Sequence, residues 1–227
     1  MTTLTTSPAA DVLERLFADA ERTRTEFRAQ LREHRGRRDR PPGERAPGRR
    51  GDDDWRSFFS AAKHVHLAVS RETGNLLYVL ARSRGARAVV EFGTSFGVST
   101  LCLAAALRDN GGGRLIGTEF EPTKAEAARR TLTEAGLGDL VEIRDGDAVD
   151  SLGQDLPTPV DLLFLDGAKS LYADVLRLVE PALAPGALVV ADNAGQSPDF
   201  LEHVRTGGSY VSSDVGHDVE VAVYTAG

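Results

Sequence analysis

From Ala88 onward the chain alternates apolar runs with helical segments, and that alternation leaves few folds open. The runs AVVEFG, RLIGTE, VEIRDG, VDLLFLDG and ALVVADN are interleaved with stretches of helical period near 97–108, 122–136, 148–155, 170–183 and 199–206. Runs that are apolar at nearly every position suit strands covered by helices on both faces. Strand and helix in strict alternation predict a doubly wound α/β sheet. The tail differs, because SYVSSDV and VEVAVYT, joined by Gly216, His217 and Asp218, read as a terminal hairpin.

Two of these runs end on hard oxygen ligands. VDLLFLD stops at Asp166, and ALVVADN stops at Asp192 and Asn193. If the two strands are neighbours in a parallel sheet, their oxygens converge above its carboxyl edge, which outlines a divalent-metal site. Lys169 follows three residues after Asp166. Basic residues here are nearly all Arg, with Lys only at 63, 124 and 169, and unlike Arg a desolvated Lys can give up its proton. Taken singly, Asp192 and Asn193 are ordinary turn residues and Lys169 an ordinary surface lysine. Their joint position beside the point where the strand order reverses is what suggests a site.

The turn EFGTSFGVST places Gly93 and Gly97 between a strand and a helix, where missing side chains let a ligand approach the backbone. Its G-x-x-x-G spacing differs from the G-x-G-x-x-G of nicotinamide-binding turns. Glu91 just before it would repel a pyrophosphate. Glu119 ends the second strand, where an acidic residue commonly binds both ribose hydroxyls, although a solvated strand end would look the same. The pair suits a positively charged nucleoside, and S-adenosylmethionine fits better than a dinucleotide. Gly146, Asp147 and Ala148, at the end of the third strand, fall where an adenine ring would lie, or form a plain strand-ending turn.

Ahead of the alternating region, Leu13, Leu16, Phe17, Ala20, Phe27 and Leu31 predict an amphipathic helix over 10–35. The stretch 36–54, rich in Arg, Pro and Gly, reads as a mobile loop; its arginines, followed by an acidic run and without aromatics, suit a solvated linker better than a nucleic-acid arm. Helices are expected again over 55–69 and 72–83. Residues 1–69 are thus read as a helical cap and 70–227 as the main domain. Trp55, Phe58 and Phe59 either wall a pocket or belong to the core. His64 and His66, two apart on a helix, would diverge and cannot share one ion, so they are read as structural. The net charge of −7 argues against nucleic-acid binding. No run is long enough to span a bilayer and the N-terminus lacks the order of a secretion signal, so a cytoplasmic location is expected. Cys102, alone, is expected to be packed.

With these residues in view, the stretch from about Val69 to Tyr224 resembles the cation-dependent class I O-methyltransferases, the group of the catechol and caffeoyl-coenzyme A enzymes. The matching elements are VSRETGNLL, EFGTSFGVST, TEF, RDGDA, FLDGAK with Tyr172 following, VVADN and SPDFLEHVR. The resemblance implies a Rossmann-like, seven-stranded, mostly parallel sheet with its last strand antiparallel and extra N-terminal helices closing over the site. It implies cofactor contacts from the backbone around Val69, Gly93 and Thr94, with Glu91 and Asp166 near the methionine end, Ser99 on the methionine carboxylate, Glu119 on the ribose and Ala148 at the adenine. Asp166, Asp192 and Asn193 would hold magnesium or another divalent cation, with Lys169 as general base. Members of the group act on small phenols, including intermediates of natural-product biosynthesis, and dimers are common, so a homodimer is expected. Two departures stand out. The segment after SPDFLEHVR is shorter than in the animal catechol enzyme, leaving its catechol-holding acid without a clear counterpart. Bulky residues beside the metal-binding Asp are replaced by Gly167 and Ala168.

Three other readings stay open at this stage. One keeps the cofactor but dispenses with the metal, methylating a single hydroxyl or amine. A nicotinamide-dependent oxidoreductase is disfavoured by the glycine pattern and by the lack of a Tyr-x-x-x-Lys pair. A cofactor-sensing scaffold would have no use for Asp166, Asp192, Asn193 and Lys169 together.

Overall fold

The structure is a computed structural model that describes residues 1–36 and 53–226, with side chains over 1–26 and 55–226. Residues 37–52 of the Arg/Pro/Gly stretch expected as a mobile loop, and the side chains of Phe27 and Leu31, therefore lie outside the described residues, whereas Gly36, Asp53 and Asp54 at its ends are helical rather than loop. Helices α1 (Ala9–Gly36), α2 (Asp53–Ala61) and α3 (Arg71–Arg84) precede the first strand, β1 (Ala88–Phe92). Then come α4 (Val98–Asp109), β2 (Arg114–Glu119), α5 (Pro122–Glu134), β3 (Val141–Asp145), α6 (Ala148–Ser151), β4 (Val160–Leu165), α7 (Tyr172–Val179), β5 (Leu183–Asp192), α8 (Pro198–Thr206), β6 (Tyr210–Asp214) and β7 (Val219–Tyr224).

The seven strands form one sheet in the order β3-β2-β1-β4-β5-β7-β6. β1 pairs in parallel with both β2 and β4, so the chain winds outward in two directions from the β1–β4 boundary and opens a crevice there. β7 runs antiparallel to β5 and to β6, which bears out the expected terminal hairpin and antiparallel last strand.

Both faces of the sheet are packed. α4 is buried from Val98 through Leu107, and its run of alanines lets it lie deep between the sheet and α3. Gly74 on α3 sits so close that an added methyl would meet Cys102 Sγ at 3.2 Å. Cys102 is packed as expected, and burial pushes its thiol up to about 12. α1 adds Val12, Leu13, Leu16 and Ala20 to the same core, at the spacing of one helical face. On the other face Tyr172, Leu176, Phe200 and Val204 of α7 and α8 cover β4 and β5.

Two helices are shorter than their pattern suggests. The one expected over 55–69 ends at Ala61, and the one expected over 148–155 ends at Ser151. After Ala61 tertiary contacts outweigh local propensity: Val65 is buried, the His66 N–H donates to Thr23 Oγ1 at 3.1 Å, and the His66 ring stacks on Phe96 with centroids 3.7 Å apart. His66 is thus structural, as expected, but through extended chain rather than a helix face. Beyond Ser151 the carbonyls of Ser151, Gln154 and Asp155 accept from the Arg144 guanidinium instead of continuing a helix.

Candidate active site

β1 delivers Glu91 to the middle of the molecule with no solvent exposure. Its carboxylate accepts from Ser99 Oγ at 2.6 Å, from Thr94 Oγ1 at 3.1 Å and from the Thr100 hydroxyl. Burial drives its pKa up, the three hydroxyls pull it back, nearby Asp166 adds repulsion, and the balance lies at about 7. Thr100 was not singled out from the sequence; its signal is a third hydroxyl within reach of an acid on the preceding strand. Ser99, expected on the methionine carboxylate, directs its hydroxyl to Glu91, while its backbone N–H lies in the first turn of α4, where helix donors lack an intrahelical partner.

Gly93, at φ +100°, is required by the protein's own backbone: a Cβ there would lie 2.6 Å from Gly167 N and 2.7 Å from Asp166 O. The turn after β1 therefore packs directly on the turn after β4, joined by the Asp166 N–H donating to Phe92 O at 2.8 Å. The neighbouring Thr94 N–H donates to Thr118 O at 3.0 Å, tying the turn to β2 as well. Val69 is buried one residue before Ser70, which caps α3 by accepting the Thr73 N–H at 3.0 Å.

Glu119, at the end of β2, is 7% exposed. One oxygen accepts the Ser95 N–H at 2.7 Å and the other the Glu121 N–H at 2.8 Å. Burial raises its pKa, against the opposing pull of these donors and of the buried Lys124. It borders a cleft holding about 360 Å³ of empty space, part of it open to solvent, together with Gly93, Phe120, Ala148 and Ala168. Trp55 and Phe59 of α2 also line it, whereas Phe58 points outward at 48% exposure. Of the residues predicted for the cofactor, the cleft brings together Gly93, Glu119 and Ala148; Val69, Glu91, Thr94, Ser99 and Asp166 lie outside its lining.

The second cluster sits where β4 and β5 end. Leu165 pairs with Ala191, so Asp166 and Asp192 leave their strands at the same level, as predicted for neighbouring strands. Lys169 Nζ donates to Asp166 Oδ1 at 2.8 Å and to Tyr172 Oη at 2.7 Å. The Tyr172 hydroxyl in turn donates to the Asp192 carbonyl at 2.8 Å. This relay binds the two strand ends through one buried tyrosine, which sequence reasoning had noted only as part of a resemblance. Burial lifts Asp166 to about 6, with Lys169 opposing and Asp192 reinforcing the rise. Asp192 is raised too, first by burial and further by Asp218, with Lys169 pulling the other way. Asn193 has φ +53°, a conformation that Asn tolerates better than most residues. Among the described residues no three His, Cys, Asp or Glu side chains gather into a metal-binding group; the predicted set has two carboxylates and one amide.

One buried carboxylate escaped the sequence reading. Glu220 on β7 lies opposite Ala191, the residue before Asp192, and both its oxygens are held by Arg205 of α8, at 3.0 and 2.6 Å. An acid inside the apolar run VEVAVY was the available signal.

Residues 90–194 match a family described as a methyltransferase domain. The chain is 38% identical over 143 residues to a catechol O-methyltransferase of Niastella koreensis, covering 62% of this chain and 64% of that one. It thus spans less than two thirds of that relative's length. A putative O-methyltransferase of Mycobacterium bovis is 32% identical over 168 residues, covering 67% of this chain and 74% of that protein. Among solved structures, the O-methyltransferase TomG of Streptomyces achromogenes, involved in tomaymycin synthesis and bound to S-adenosylmethionine, superposes with a TM-score of 0.65. It is 31% identical, over 78% of this chain and 92% of the other. The sheet order, the acidic strand ends and these likenesses agree, and the chain belongs to the class I S-adenosylmethionine-dependent O-methyltransferase family.

Proposed function

We propose that this protein moves the methyl group of S-adenosylmethionine to one hydroxyl of a small catechol-like aromatic acceptor whose vicinal oxygens are held by a divalent cation, magnesium being the natural candidate. The observation that carries this reading is the pair of half-buried acids, Asp166 and Asp192, level with one another at the ends of adjacent strands, with Lys169 bound to the Asp166 carboxylate and, through the Tyr172 hydroxyl, to the Asp192 main-chain carbonyl. The donor set fits the cation. Two repelling, half-buried acids, opposed among the described residues by Lys169, would be relieved by a hard dication that favours oxygen ligands. Asp166, Asp192 and Asn193 would hold it, and when bound it would favour ionisation of an acceptor hydroxyl.

The chain's own residues do the rest. Lys169 Nζ receives the acceptor's hydroxyl proton, while Asp166 and Tyr172 fix where that nitrogen stands. The oxygen then displaces the sulfonium in line: an O–C bond forms, the S–C bond breaks, and S-adenosylhomocysteine leaves. Glu119 accepts from the ribose hydroxyls, and Ala148 bounds the adenine. Val69, Gly93 and Thr94 present backbone to the cofactor, with Asp166 beside them. Glu91 faces the methionine end, and Ser99 offers its backbone N–H to the methionine carboxylate.

A screen of dihydroxylated aromatics with and without magnesium tests the reading. Turnover is expected to stop with a chelator, return with magnesium, and fall at least a hundredfold in Asp192→Ala and Lys169→Ala, about the size of a lost acid–base group. Chelator-resistant turnover would favour transfer without a cation, for which the Lys169–Asp166 ion pair offers the only support. Reduced nicotinamide binding in place of the sulfonium nucleoside would sink both. The same reading extends to a homodimer, supported by Val211 and Val223, paired across β6 and β7 and exposed at 69% and 36%. It also extends to a cytoplasmic location; no described helix is long and apolar enough to cross a membrane.

A further inference from the structure

We propose that α2 completes the adenosyl half of the cleft, with Trp55 donating its indole N–H to a ring nitrogen of the bound purine and the Arg56–Asp147 ion pair fastening the helix in place. The inference rests on the S-adenosylmethionine reading above and names residues that the family resemblance does not reach, since that resemblance begins near Val69.

Trp55 meets Phe120 edge-on, with centroids 5.0 Å apart and planes at 71°, and Phe120 directly follows Glu119. Its Nε1 is buried and has no hydrogen-bond partner among the described residues. A buried N–H left unmatched is unfavourable, so an acceptor is called for. The walls around it are apolar apart from Thr118 and Glu119, a setting that suits an aromatic heterocycle carrying acceptor nitrogens and attached to a sugar. The loop after β4 cannot supply that wall itself. A Cβ on Gly167 would lie 2.5 Å from the Phe92 ring, and Ala168 carries only a methyl, so bulk must come from elsewhere.

α2 is held at this spot by a specific contact. Arg56 donates to Asp147 Oδ2 at 2.7 Å, while Asp147 Oδ1 accepts the Val149 N–H at 3.0 Å and so caps α6, which begins at Ala148. One carboxylate thus joins the cap helix to the turn that bounds the cleft. The Arg56 guanidinium also lies 4.5 Å over the Trp55 ring, limiting where that ring can turn. The acceptor's aromatic ring is a poorer occupant, because Asp166, Lys169, Asp192 and Asn193 do not line this cleft.

Trp55 is the only tryptophan in the chain, so its emission reports on this contact in the unaltered protein. The full chain is titrated with S-adenosylhomocysteine while emission and calorimetric heat are followed in parallel. Quenching is expected to saturate at the concentration that saturates the heat. Trp55→Phe, which keeps a ring but removes the donor, is expected to weaken binding about three- to tenfold, the range of one neutral hydrogen bond. Arg56→Met should weaken it about two- to threefold, as for a half-exposed ion pair. Calorimetric binding with unchanged emission, or unchanged affinity in Trp55→Phe, overturns this inference and leaves the cofactor reading intact. Absence of any calorimetric binding overturns both. Quenching by catechol alone, without the nucleoside, would assign Trp55 to the acceptor and likewise overturn it.

Discussion

Replacing Glu91 by Gln should change the pH dependence of folding more than the stability at any one pH. Glu91 is wholly buried, and its pKa rises from 4.5 to about 7 in the folded protein. A carboxyl group whose folded value is raised stabilises the native state fully below the unfolded value and loses that contribution as pH rises through the folded one. Between pH 5 and 8 the unfolded chain has released the proton and the folded chain releases it late, so this residue alone should cost the wild type on the order of 2 to 3 kcal/mol over that interval. Gln cannot titrate. It also cannot accept from Thr94, Ser99 and Thr100 with both atoms of its amide, a loss of about 1 to 3 kcal/mol that is largely independent of pH. The variant should therefore be clearly weaker than wild type at pH 5 and close to it, or above it, at pH 8. Urea unfolding of both proteins at the two pH values, without cofactor, measures the difference; subtracting the two cancels other groups that titrate equally in both. A stability gap that stays constant within about 0.5 kcal/mol would refute the buried, proton-holding Glu91.

Gly93→Ala places a methyl 2.6 Å from the Gly167 nitrogen at a left-handed φ, and urea unfolding should show a loss of about 3 kcal/mol or more; a loss under 1 kcal/mol would mean that the two turns do not pack as described. Glu119→Ala should weaken S-adenosylhomocysteine binding by tenfold or more in calorimetry, in line with about 1.5 to 3 kcal/mol for hydrogen bonds to a charged group, and equal affinity would remove it from the ribose site. Light scattering should give a dimer mass for the native chain and a monomer mass for Val211→Lys; a native monomer would end the reading of the β6–β7 face as an interface.

Much of the architecture was legible because one physical cause produces each signal. Strands buried on both faces must be apolar throughout, so the five runs after Ala88 announced a covered parallel sheet. Asp166 and Asp192 were visible because an acid that closes such a run has few places to go except the sheet's edge. Helix ends were read less well. The stretch after Ala61 carries helix-compatible residues, yet His66 left the helix to stack on Phe96, thirty residues further along the chain. No local pattern encodes that preference.

What the local sequence could determine on its own was whatever depends on near neighbours: the alternation of elements, the apolar faces, and the oxygen-bearing strand ends. Tertiary structure alone decided contacts between distant residues. It set Gly93 against the Asp166–Gly167 backbone, joined Asp192 to Lys169 through the Tyr172 hydroxyl, and carried Trp55 across to Phe120. The reason is that periodicity reports which side of an element is buried, whereas the partner on that side is chosen by packing and hydrogen bonding summed over the whole fold.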